Sequence, residues 1–297
     1  MALRISFKTS PQKVDWATLD ASWALAGAQG GWDGAWINDH LTDMDPDVPG
    51  PSLEAIATLG TLVHHVPGLR VGHAVLSNTF RHPVVVAKAA TVLDHATRGT
   101  FVLGLGAGWF ENEHGPFGLV LPPIGERIDR LISAVDVIQA LFSPEAASAP
   151  GVTRDDSFYP LRGATNIPAP LTPGGPPIFL GGQKPRGIRL AARRARGWLL
   201  TGTEAGDVGY FEARREELLR ALEAERRDPS TFEFVAQVHT GAEPASRTRA
   251  LAQARQLVAA GATEVVIGVP AYLGPAALEA ATRDVRDPLR GEFGPAT

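Results

Sequence analysis

Short apolar runs with β-branched residues alternate along this chain with longer stretches of helical period, the pattern of repeated βα units. Runs at residues 3–7, 34–37, 69–76, 100–104, 177–180, 197–201, 232–238 and 264–269 predict eight strands. Amphipathic stretches at about 15–29, 52–64, 83–97, 124–142, 186–196, 208–226, 246–260 and 275–285 predict the helices between them. Eight such units can close into a barrel or lie open as a doubly wound sheet. Two features favour closure. The count is the barrel's own, and the first βα turn, Lys8-Thr9-Ser10-Pro11-Gln12, lacks the glycine-rich phosphate turn of an open dinucleotide-binding sheet. The expected fold is an α/β chain forming a (β/α)8 TIM barrel. Residues 143–175, rich in Pro, Gly and Ala, exceed ordinary connection lengths and read as an insertion before strand five with little regular structure.

Composition narrows the function classes. A chain of 297 residues suits one barrel domain, since that fold spreads a single core over roughly 250 residues. A net charge of −4 with scattered arginines gives no footprint for a nucleic acid. The chain has no cysteine, which excludes disulfides, thiolate nucleophiles and cysteine-ligated zinc or iron–sulfur centres, so redox chemistry would have to be borrowed from a cofactor. No apolar run approaches the roughly 20 residues of a membrane helix, and the start of the chain has no signal-peptide pattern, so the expectation is a cytoplasmic protein without a membrane partner.

In a barrel the chemistry sits at strand C-termini, where loops build the mouth. Strand two runs into Asn38-Asp39-His40, which is either an acid–base pair at a pocket or an exposed loop histidine bonded to a carboxylate. Strand four runs into Gly104-Leu105-Gly106-Ala107-Gly108-Trp109-Phe110-Glu111-Asn112-Glu113-His114. Its glycines fit a nucleotide loop or a turn needing backbone freedom, Trp109 suits stacking on a planar ring, and Glu111, Glu113 and His114 form a titratable cluster. Strand five ends in Gly181-Gly182-Gln183-Lys184-Pro185-Arg186 and enters a helix, which makes a natural phosphate seat with Lys184, Arg186 and Arg189 as charges of the correct sign. Arg81-His82-Pro83 could orient a substrate, although a histidine before proline equally starts a helix. Glu126 and Arg130 read as a salt-bridged helix face, and His64-His65 as a helix end. No pair of histidines at ligand spacing lies on one strand, which disfavours a metal hydrolase.

Taken in order, these motifs resemble a known family. Phe7-Lys8-Thr9-Ser10-Pro11-Gln12, Asp39-His40, Arg81-His82-Pro83, the stretch from Gly106 to His114, Glu126-Arg127-Ile128-Asp129-Arg130, Phe158-Tyr159-Pro160-Leu161, Pro176-Pro177-Ile178-Phe179-Leu180-Gly181-Gly182 and Leu190-Ala191-Ala192-Arg193 are similar to the luciferase-like monooxygenase superfamily. They look most like its branch of oxidoreductases using the deazaflavin coenzyme F420. The resemblance implies a barrel with an insertion before strand five and a flavin-like ring against a bulge of strand three. In such proteins the bulge carries a non-prolyl cis peptide, and the matching stretch is His73-Ala74-Val75-Leu76. It implies that the ring is bound by Asp39, Ala74, Val75, Gly106, Ala107, Gly108 and Asn112, and the phosphate of the cofactor tail by Gly181, Gly182, Gln183 and Arg186. His40 is the expected acid–base group, with Asp39 and Trp109 as its catalytic neighbours.

Two departures stand out. Trp109 occupies the place where a sugar-phosphate dehydrogenase of the branch is expected to have a glutamate, and Leu199-Leu200 follow Trp198 where relatives often have a polar residue. The expected function is F420-dependent hydride transfer to or from a small organic substrate. The alternatives are an FMN-dependent monooxygenase served by a separate reductase, or a cofactor-binding barrel without turnover. A homodimer is compatible with each.

Overall fold

A computed structural model of the chain describes residues 2–44, 50–202 and 204–294. Its barrel strands are β1 (Arg4–Thr9), β2 (Gly34–Ile37), β3 (Arg70–His73) with its short continuation β4 (Leu76–Ser77), and β5 (Phe101–Gly106). An antiparallel pair, β6 (Val152–Arg154) and β7 (Leu161–Ala164), intervenes before β8 (Ile178–Gly181), β9 (Gly197–Leu199), β10 (Glu233–His239) and β11 (Glu264–Val269). The barrel pairings are all parallel, in the order β3-β2-β1-β11-β10-β9-β8-β5-β4, and a β3–β5 pairing closes the ring. With β3 and β4 as one interrupted strand, this is the eight-stranded (β/α)8 TIM barrel.

The helices are α1 (Trp16–Gln29), α2 (Ala55–Leu62), α3 (Pro83–Ala96), α4 (Ile124–Leu141), α5 (Pro185–Arg194), α6 (Val208–Ala224), α7 (Pro244–Ala259), α8 (Pro275–Ala281) and α9 (Asp287–Phe293). α1 shows how locally they are specified. Asp15 caps its start by accepting from Thr18 N at 2.9 Å, Gly30 ends it at φ 63°, and Leu19, Ser22, Trp23 and Ala26 form the buried stripe. At the C-terminus the expected single helix is instead α8, a π-helical turn at Thr282–Arg286, and α9. That turn brings Arg286 over the Trp32 ring at 5.1 Å and is followed by an Arg290–Asp33 ion pair, tertiary contacts that no periodicity announces.

Inside the barrel, side chains fall into three levels. At the N-terminal end, Arg70 donates to Glu233 (2.6 and 3.1 Å) and Glu264 (2.8 Å), Arg4 donates to Glu233 (2.9 Å), and Ser6 and Trp36 donate to Glu264 (2.6 and 2.7 Å). Above this plug lies an apolar layer of Trp36, Val102, Phe179, Leu199, Val235 and Val266. Above that the barrel opens into a cavity of about 890 Å³.

Residues 143–175 hold more regular structure than expected, with a 3-10 turn at Pro144–Ala147 and the β6–β7 pair. They pack on α3 and α4, where Asn166 donates to Thr91 at 2.9 Å and Thr172 N donates to Asp94 at 2.7 Å. None of them lines the cavity.

His73, at the end of β3, is fully buried with one ring nitrogen 3.3 Å from Ala55 O, and burial pushes its pKa down to about 4. The folded protein keeps this ring neutral where the unfolded chain, near pH 6.5, takes up a proton. Its contribution to stability should therefore be present above pH 6.5 and lost progressively towards pH 4. Urea midpoints of the parent and of His73→Asn across that range measure it, and parallel curves would remove His73 as the cause.

Candidate active site

The cavity is built from C-terminal ends of strands. β3 and β4 supply its most unusual wall. Between the pairs Gly72↔Val102 and Leu76↔Leu105 the third strand carries one residue more than β5, so a bulge forms, and the Ala74–Val75 peptide bond within it is cis. The glycines of β5 and β8 exist for this bulge. A Cβ on Gly104 would lie 1.8 Å from His73 O, one on Gly106 would lie 2.7 Å from Val75, and one on Gly181 would lie 3.3 Å from it. The Gly104-Leu105-Gly106 alternation is thus a bed for Val75, not a nucleotide loop. Gly108, at φ 78°, turns the chain beyond it, and Arg127 holds its carbonyl at 2.5 Å.

Asp39 locks the bulge in place. Its carboxylate is buried, accepts Ser77 N at 2.8 Å and takes a bidentate grip from Arg81 at 2.7 and 2.9 Å. His40 turns instead to Glu113, whose carboxylate meets its Nδ1 at 3.1 Å and accepts Leu41 N at 3.0 Å. Of the titratable cluster after β5, buried Glu113 is thereby absorbed into the site, and buried His114 bonds Thr79 (2.7 Å) and Phe110 O (2.7 Å). Glu111 and Asn112 are exposed and outside the cavity wall, contrary to the ring contact expected for Asn112. Trp109 is exposed on the rim and meets the His40 ring edge-on at 6.1 Å. His82 starts α3, accepting Val84 N at 3.3 Å. Glu126 and Arg130 pair at 2.7 Å on the helix surface.

Gly181, Gly182, Gln183, Lys184 and Arg186 all line the cavity. α5 begins there with no side-chain cap, and so does α4, whose Ile124 and Gly125 also line it, so two helix starts converge on one region. Gly182 has φ 124°, and its carbonyl is held by Trp198 Nε1 at 2.8 Å. Arg186 is committed to Asp129 and to Gly125 O (3.2 Å). Lys184 is exposed and has no ion pair among the described residues. Leu199 and Leu200 are buried and do not reach the cavity, whose wall at that strand is Thr201. Among the lining residues to which the sequence reading gave no role are Lys8 and His239. Their signal was a lone charged or titratable residue at the end of β1 and β10, each just past the end drawn for the apolar run.

Residues 15–290 match the family model of luciferase-like monooxygenases. The chain belongs to this family. Over 68% of its length it is 33% identical to a protein from Nakamurella multipartita named F420-dependent glucose-6-phosphate dehydrogenase, covering 57% of that protein. Over 90% of its length it is 30% identical to a protein of the same name from Beutenbergia cavernae, covering 76% of it. The chain thus spans little more than half of the first of these relatives. The solved structure of an F420-dependent secondary alcohol dehydrogenase in complex with an F420-acetone adduct superposes with a TM-score of 0.80 at 17% identity, covering 96% of this chain and 98% of that one. Such a likeness speaks for the luciferase-like fold. The cis bond at Ala74–Val75 falls in the stretch where the family resemblance placed it.

Proposed function

We propose that this member of the luciferase-like family is an F420-dependent oxidoreductase acting on a small organic carbonyl, imine, alkene or alcohol. The carrying observation is the Val75 bulge bedded on Gly104, Gly106 and Gly181, facing a cavity that also receives the uncapped start of α5. The residues fit a flavin-like group. Asn38 Oδ1 is buried beside the cavity without a hydrogen-bond partner among the described residues, an acceptor suited to a ring N–H. Amides around Gly182 and Gln183, the α5 dipole and Lys184 suit a phosphate. The F420-dependent names of the curated relatives agree with this choice over FMN.

When bound, F420 supplies or accepts the hydride. The protein's part is orientation and the proton. Glu113 engages His40 Nδ1, leaving Nε2 to take a proton from an alcohol or give one to a reduced oxygen. Asp39 is already held by Arg81 and Ser77, so it serves as the positioning residue of the bulge. Trp109, Ile124 and Ile128 form an apolar side of the mouth that limits water.

Titration of the purified protein with F420 and FMN tests the assignment; tighter binding of FMN would overturn it. Gly182→Val puts a side chain on a φ of 124° and covers the nearby amides. It should weaken phosphate-bearing F420 about ten- to a hundredfold and the phosphate-free deazaflavin core far less. Equal loss for both ligands would place the phosphate elsewhere.

A further inference from the structure

Lys8 and His239 are the titratable groups of the cavity floor that the proposed reaction leaves unused. Lys8 of β1 and His239 of β10 both stand in register with Gly268 of β11. Matched positions on parallel neighbours face the same side of a sheet. Both side chains line the cavity, so they share its interior. Gly268 makes that sharing possible, because a Cβ there would lie 2.5 Å from His239 Nδ1. In the ring of eight, β10 stands four places from β3, across the lumen from the Val75 wall, while β1 stands two places from β3, so the row runs from beside that wall to the side facing it.

Elsewhere in the cavity the charges are largely matched. Arg81 holds Asp39, Glu113 holds His40, and Asp129 holds Arg186. Glu204 lies on the rim near Gly202. Neither the Lys8 amine nor the His239 ring has a hydrogen bond or ion pair among the described residues. Burial pushes the Lys8 ammonium down to about 8, with no carboxylate opposing it, while the surrounding barrel wall and then the charge of Lys8 push His239 down to about 4, although its side chain is open to the cavity. At neutral pH the row is one ammonium beside one neutral imidazole. A charge taken from water is costly unless it is paired. One positive charge and a neighbouring N–H donor suit a monoanion with two oxygens better than a phosphate dianion.

We propose that Lys8 and His239 seat a carboxylate of the substrate, so that the protein acts on small organic acids whose reacting carbon is held between this seat and the Val75 wall. Only the side on which the cofactor lies rests on the F420 reading. The ammonium takes one carboxylate oxygen and the imidazole N–H the other. Isothermal titration of the full-length protein with benzoate and with benzamide, with and without saturating F420, reads the seat directly. The unaltered protein should bind the acid at least tenfold more tightly than the amide. Lys8→Met should weaken benzoate about ten- to a hundredfold and leave benzamide within about twofold, whereas Lys8→Arg should keep the preference. Should Lys8→Met not fold, His239→Asn carries the test and should lower the preference several-fold. No preference for the acid in the unaltered protein, or a preference that survives in folded Lys8→Met, overturns the seat. A separate F420 titration keeps the two readings apart. Failure to bind F420 counts against the cofactor alone, and F420 binding without acid preference counts against the seat alone.

Discussion

Replacing His40 by alanine should lower turnover about a hundredfold or more while leaving F420 affinity within a few-fold, the usual size of a general acid–base contribution. The imidazole lines the cavity with Nδ1 engaged by Glu113 at 3.1 Å, so its other nitrogen is the one that can exchange a proton. Glu113→Gln should retain the fold of the loop, since an amide oxygen can still accept from Leu41 N, yet lower turnover by a smaller factor. Single-turnover measurement of hydride exchange separates this loss from binding. Unchanged turnover of His40→Ala, with the chemical step rate-limiting, would remove His40 from the mechanism.

The largest stability effect should come from the other end of the barrel. Arg70 is the shared partner of Glu233 and Glu264, and these carboxylates hold its pKa above the ordinary arginine value although burial works against the charge. Arg70→Leu would leave Glu264, fully buried, and Glu233, nearly so, with Arg4 as their nearest cation. Removing one member of a buried ion cluster costs about 3–5 kcal/mol. An unfolding free energy lowered by that amount, read from denaturation curves, is expected, with the mouth of the barrel little affected. A change below about 1 kcal/mol would mean that the carboxylates become protonated and need no counter-charge.

The two ends differ in how far the sequence exposed them. Alternation of apolar runs and amphipathic stretches sufficed for all eight barrel strands, because burial on both faces of a parallel strand demands an uninterrupted apolar run. It also placed strand ends, and with them Asp39, His40, Trp109 and the Gly181-Gly182 turn, in one mouth. The extra turn and helix after residue 281 escaped, since a π-helical turn has no period of its own. The β6–β7 pair escaped because its strands are short and half exposed, without the alternation that marks a core strand.

Partners lay beyond any reading of the sequence. Asp39 and His40 are adjacent, yet one faces Arg81 and the other Glu113, 42 and 73 residues away. The glycines at 104, 106 and 181 read as a turn or a phosphate loop until the bulge beneath them showed a backbone oxygen and a valine needing their space. Lys8 and His239 are more than 200 residues apart in sequence, and strand closure through Gly268 is what makes them neighbours. Period and propensity are local properties, so the chain by itself determined which segments are strands and which ends meet the mouth. Charge pairing and space for a Cβ depend on distance across the barrel, and only closure of the barrel decided those.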